Sequence, residues 1–115
     1  ASRVTVLRSG TISGNGNGTG QNLGVTTSPA VLQVVCRIIS GTFTACTFTV
    51  EQSSDNGAGD AYAAIAALTS GNMTVPGIVR VTSSATSEAW KRVAVSGFAG
   101  TSLVAVVTIG TLAGT

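Results

Sequence analysis

Four stretches of the chain alternate apolar and polar residues with a period of two, and this pattern constrains the fold more than any other feature. Leu32, Val34, Cys36 and Ile38 share one face of the first stretch, and Cys46, Phe48 and Val50 share one face of the second. Lys91, Val93 and Val95 fall together in the third, and Leu103, Ala105, Val107 and Ile109 in the fourth. Successive side chains of a strand point to opposite faces, so such alternation marks strands with one buried face. The polar residues are mostly Thr, Gly and Ser; Thr favours strands, and Gly and Ser favour turns. Only 9% of residues are charged and 43% are hydrophobic, too apolar a mixture for a disordered chain. At 115 residues the material suffices for one domain. The expected fold is all-β: a single small β-sandwich, Ig-like or jelly-roll-like, of seven or eight short strands.

The order of elements follows from the turn signals. Residues 3–8 read as a short strand, with Val4 and Val6 on one face. Residues 9–24 are rich in Gly, Asn, Ser and Thr and read as a long loop or extended arm. The chain therefore divides into an N-terminal strand and Gly-rich arm, 1–24, and a sandwich core, 25–115, expected to fold without the arm. Residues 30–39 form the strongest strand, and its second face, with Val31, Val35 and Ile39, is also largely apolar. Ser40-Gly41 reads as a hairpin turn that sets Leu32 opposite Val50, Val34 opposite Phe48 and Cys36 opposite Cys46. Residues 53–60 read as a turn-rich loop and 61–68 as a strand. A short strand at 73–75 and strands at 78–82, 89–96 and 102–109 complete the chain, with residues 97–101 connecting the last two.

Most catalytic chemistry has no residues to work with. There is no His, and the net charge is only +2. The basic residues are scattered and only Lys91-Arg92 are adjacent, so the stripe or face of a nucleic-acid binder is missing. No apolar run approaches the ~20 residues of a membrane-spanning helix. The opening Ala1-Ser2-Arg3-Val4-Thr5 reads as a strand approach, and the expectation is a chain without a signal peptide. Two cysteines without His make neither a zinc site nor a CxxC motif. Cys36 and Cys46 are either a cross-strand disulfide or reduced core residues, and without a secretion signal reduced thiols are the expectation. Asp55-Asn56-Gly57-Ala58-Gly59-Asp60 offers two carboxylates and an amide to a calcium ion, a thin ligand set, and reads first as a turn. Trp90 with Lys91-Arg92 suits either phosphate or base contact, or a capping aromatic beside charges at a sheet surface. No Gly-x-Ser-x-Gly occurs, and the Gly14–Gly20 run lacks the Gly-Lys-Ser/Thr ending of a phosphate loop. No catalytic residue, cofactor or metal ligand is expected, and the chain does not read as an enzyme.

Certain segments carry a resemblance. They are Ser40-Gly41-Thr42-Phe43-Thr44, the run from Thr47 through Phe48-Thr49-Val50-Glu51-Gln52 to Ser53, and Asp55-Asn56-Gly57. The run Trp90-Lys91-Arg92-Val93-Ala94-Val95-Ser96-Gly97 leads on to a final Val-rich strand. Together these resemble small β-sandwich proteins of tailed-bacteriophage particles, of the head decoration or cement type. The likeness covers residues 40–60 and 90–109; residues 61–68 are more alanine-rich than that pattern, and the cysteine pair is no part of it. It implies a non-enzymatic structural protein on the capsid outer surface, assembled in the host cytoplasm. Its partners would be the major capsid protein and itself, as a homotrimer, with neither nucleic acid nor membrane. The regions expected to touch the capsid are the N-terminal segment, with Arg3, Arg8, Asn15 and Asn17, and the 53–60 loop, with Asp55 and Asn56. The alternative is a carbohydrate-binding or adhesive β-sandwich module of a tail, fibre or cell surface, with an aromatic platform at Tyr62 or Trp90. A subunit of the shell itself is a third reading.

Overall fold

The computed structural model describes residues 3–22, 31–84 and 89–111. All regular structure among them is β: β1 (Arg3–Ile12), β2 (Gly16–Asn17), β3 (Gln21–Asn22), β4 (Val31–Ser53), β5 (Ala63–Met73), β6 (Gly77–Ser84) and β7 (Trp90–Thr111). They form one antiparallel sheet whose central pair is β4 and β7. β1 pairs with the C-terminal half of β7, and β2 and β3 with its N-terminal half. On the other side, β6 pairs with the first half of β4 and β5 with its second half.

Length forces the architecture. β4 has 23 residues, which fully extended would span roughly 75 Å. The longest dimension of the molecule is 39 Å. β4 and β7 must double back, carrying the sheet over onto itself as two four-stranded leaves. The short dimension of 20 Å suits two leaves packed face to face. The expected sandwich is present, as two halves of one continuous sheet.

The expected hairpin at Ser40-Gly41 is not formed. The chain runs through it as a single strand, and Ser40, Gly41 and Thr42 pair with Val104, Leu103 and Ser102. Likewise residues 97–101 belong to β7 and are not a connection. These polar, glycine-bearing segments supply the bend. Four register shifts between Ile38 and Thr47 let the paired strands curve together. Gly41 (φ +150°) and Gly100 (φ +145°) sit where the two backbones press closest. A Cβ on Gly41 would lie 2.5 Å from Leu103 Cα, and one on Gly100 would collide with the Phe43 backbone.

The core is the set of inward residues that the alternation identified. Leu32, Val34, Cys36, Ile38, Cys46, Phe48, Val50, Val93, Val95, Leu103, Ala105, Val107 and Ile109 are all buried in one cluster. Leu7 and Ile12 of β1 join it. Val6, opposite Thr108, is exposed and Leu7 is buried, on opposite faces as the alternation has them, with a register shift between Val6 and Arg8. Residues 9–12 are strand, not arm, and residues 25–115 lack two side chains of the core. Ile65, Leu68 and Met73 close the far edge from β5, which runs as one strand through Ser70-Gly71-Asn72. There Ser70 Oγ accepts from Phe48 N (3.0 Å) and Asn72 Oδ1 from Cys46 N (3.2 Å). Side-chain oxygens replace backbone carbonyls where the β4–β5 register slips.

Gly100→Ala is expected to lower stability by about 1–3 kcal/mol in denaturant unfolding. Gly14→Ala, with open space around its Cβ, should change it by less than about 0.5 kcal/mol. Equal effects at the two positions would contradict a bend dictated by close backbone approach.

Candidate functional site

The 53–62 loop is built around one hydroxyl. Ser53 is fully buried. Its Oγ donates to the Asp60 carbonyl at 2.6 Å and accepts from Asp55 N at 3.2 Å and Gly57 N at 2.9 Å. The Asp55 carboxylate accepts from the backbone of Asp60 (3.0 Å) and Gly59 (2.7 Å). These two N–H groups, Asp60 first, hold the Asp55 carboxyl below its ordinary pKa. Asp60 Oδ2 accepts from Ser54 N at 2.9 Å. Asn56, at φ +58°, makes the left-handed step of the turn. The loop thus directs its carboxylates to its own N–H groups, which is the turn reading of this segment. Among the described residues no group of three or more His, Cys, Asp or Glu could hold a metal.

Beside the loop, Tyr62 Oη donates to Asn56 Oδ1 at 2.7 Å. The Arg92 guanidinium lies over the Tyr62 ring, 4.0 Å from its centroid, and Arg92 Nε donates to Glu51 Oε1 at 2.7 Å. Both groups of the ion pair are partly exposed, so the pair is worth at most about 1 kcal/mol and the ring contact about as much. Lys91 points the other way and is buried with the core face. The adjacent cations therefore do not form a basic patch, and the capping arrangement at a sheet surface holds for Arg92 alone.

The Gly-rich segment is fastened to this same end. Gly20 abuts the Tyr62 hydroxyl and Asn56 Oδ1 so closely that any Cβ would collide with them. Gly18 N donates to Val93 O (2.6 Å), Asn15 Oδ1 accepts from Phe98 N (2.8 Å), and Arg8 Nη1 donates to Gly16 O (3.2 Å). The two regions expected to contact a partner are thus brought together. Most of the side chains named in them have structural work, however: Arg8 and Asn15 clamp the arm, and Asp55 and Asn56 build the loop. Asn17 lines an open recess of about 470 Å³ with Arg8, Ser9, Thr11 and Thr19. Arg3 lies in β1 opposite Thr111.

A second surface was only half legible in the sequence. The outer face of the leaf β1–β7–β4–β6 carries Val6, Ile39 and Ile78, exposed by 47%, 51% and 47%. Val35, Val104 and Val106 lie half-buried among them. Arg37 and Arg80 are exposed on this face, beside Ile78 and Val35 respectively in the β4–β6 register. The apolar second face of residues 31–39 and 102–109 pointed to it. The share of β6 could not be read, because nothing local pairs β6 with β4.

Cys36 and Cys46 are buried, free and not cross-strand partners: Cys36 lies opposite Val107 and Val79, Cys46 opposite Met73. The cross-strand disulfide, the alternative that the hairpin register allowed, loses its basis with the hairpin. Burial, and then the neighbouring Cys46, push the Cys36 thiol up to about 12; burial also raises Cys46. A thiol raised in the folded state above its unfolded value near 9.0 leaves stability intact below that pH and erodes it above.

Cys36→Val should remove roughly 2–4 kcal/mol of the stability loss between pH 9 and 12, read from unfolding across that range; an unchanged alkaline slope would refute the assignment. Ser53→Ala should cost about 1–3 kcal/mol by stripping the Gly57 N–H and the Asp60 carbonyl of their partner, checked by thermal melting. No protein-family model matches the chain, and no curated protein matches it.

Proposed function

We propose that this chain is a non-enzymatic structural protein of a phage particle, decorating the capsid and stabilising it by bridging neighbouring major capsid subunits. The observation that carries this reading is the outer face of the β1–β7–β4–β6 leaf. This one face carries Val6, Ile39 and Ile78 exposed, with Val35, Val104 and Val106 half-buried between them, and an apolar face of this kind suits protein contact. The bonding of the rest supports it: the loop, the described part of the arm and the bend are held by backbone contacts, and a preorganised module loses less entropy on docking. Many small contacts repeated over a shell add up without chemistry.

A second reading, a carbohydrate-binding or adhesive module, is favoured by the recess beside Arg8, whose rim of Ser9, Thr11, Asn17 and Thr19 suits polyhydroxylated ligands. The aromatic platform expected for it is weak, because Arg92 covers the Tyr62 ring.

Density-gradient banding of particles from the source culture separates the two. The protein should co-band with filled particles at a fixed ratio to the major shell protein, and stripping it should lower the temperature at which the shells open. Protein that stays at the top of the gradient, or elutes from immobilised glycans with free sugar, would overturn the decoration reading.

A further inference from the structure

The longer outer strands of the sheet are finished in different ways. β1 carries a register shift between Val6 and Arg8, and the Gln21 amide donates to the Val6 and Leu7 carbonyls at 2.8 and 3.3 Å. β5 slips register twice against β4. Shifts and caps of this kind keep an edge from taking a further strand. β6 has neither. It pairs with β4 from Gly77 to Ser84 in one unbroken register, and residues 77–82 contain neither Pro nor Lys. Among the described residues nothing pairs with their other edge. Val79 and Val81 pack against the core yet stay only half-buried, with no described strand beyond them. On the opposite face Ile78 and Arg80 are exposed. Arg80 makes no ion pair or side-chain hydrogen bond among the described residues.

We infer that residues 77–82 accept an extended segment of a protein partner as an added strand, with apolar side chains of that segment against Val79 and Val81 and a carboxylate beside Arg80. The N–H and C=O groups of a straight, open edge are best met by another extended backbone. Alternate side chains of such a backbone fall on opposite faces. The segment is therefore apolar towards the core and acidic towards Arg80, where a cross-strand neighbour of opposite charge is attracted. A second copy of β6 is a poor occupant. Two-fold antiparallel pairing over residues 77–82 sets two Arg80 side chains opposite or diagonal to one another, and like charges so placed repel. The edge adjoins the flat apolar face but does not depend on the decoration reading, because its occupant is defined by a segment and not by a particle.

The probe is a fluorescein-labelled peptide, Val-Glu-Val-Thr-Val-Glu-Val, titrated with the full chain by fluorescence anisotropy and located by amide hydrogen exchange. Wild type should bind it saturably, with exchange slowed at residues 77–82 and unchanged along β1 and β5. The same peptide methylated on every amide nitrogen should not bind, since it has no N–H to donate. Arg80→Glu should weaken binding at least about tenfold. A peptide with Lys in place of each Glu should reverse that order and bind the variant better than wild type. Arg80 is exposed, so the variant should fold; Arg80→Gln takes its place if melting curves show that it does not. Absence of binding up to about 1 mM peptide, protection on another strand, or equal binding of the methylated peptide overturns the inference and leaves the decoration reading untouched. Binding that no Arg80 substitution alters overturns it as well. So does exchange at residues 77–82 that slows with protein concentration when no peptide is present, which puts a second copy on the edge.

Discussion

Everything in this molecule hangs on the pairing of β4 with β7. These are its longest strands, they are adjacent over their full length, and they alone pass from one leaf to the other. Every other strand is attached to one of them. The core forms because both strands keep their apolar sides inward through the bend, and this needs the backbones to stay paired while changing direction. Small residues and register shifts permit that: Gly41 and Gly100 allow close approach, and the slips between Ile38 and Thr47 absorb the difference in path length. Hydrophobic burial supplies the driving force, and the bend decides where it acts.

The loop and arm at one end show how a chain with few charges holds irregular segments. Ser53, one buried hydroxyl, ties together the backbone of Asp55, Gly57 and Asp60. Asp55 adds an ionised acceptor for two N–H groups, a stronger bond than a neutral acceptor makes. Gly20 then lets the arm lie against Tyr62 and Asn56. The described loop and arm are thus held by hydrogen bonds and close backbone contact. That is consistent with a part used for its shape.

The inward faces were legible from sequence because alternation survives any topology. Leu32 through Ile38 and Cys46 through Val50 point inward whether the chain turns at Gly41 or continues through it, since both sets occupy even positions. The agreement that supported a hairpin therefore could not tell it from a bent strand. Ser40-Gly41 carries the composition of a turn and is used as a flexible length of strand, decided by a partner, Leu103, that is remote in sequence. Which face of residues 3–8 is buried, Leu7 and not Val6, is likewise decided by pairing with a distant strand. In the candidate site, the turn residues 53–60 were recognisable from their Asx and Gly content. The docking of Gly20 on Tyr62, and the contribution of Ile78 and Arg80 to the outer face, exist only once distant strands pair.

The order in which those partners leave the ribosome has its own consequence. Leu32 pairs with Thr111, and Ser53 with Trp90, so a nascent chain carries β4 to completion well before its main partner has been made. Through that interval a long, Val- and Ile-rich strand has one edge open, the condition in which chains pair with one another instead of with themselves. Folding dominated by such distant pairings is slow, because loop closure precedes the contacts that reward it. The C-terminal strand is therefore a completion signal as well as a structural member: a chain cut short before β7 keeps most of its residues and none of its central pairing.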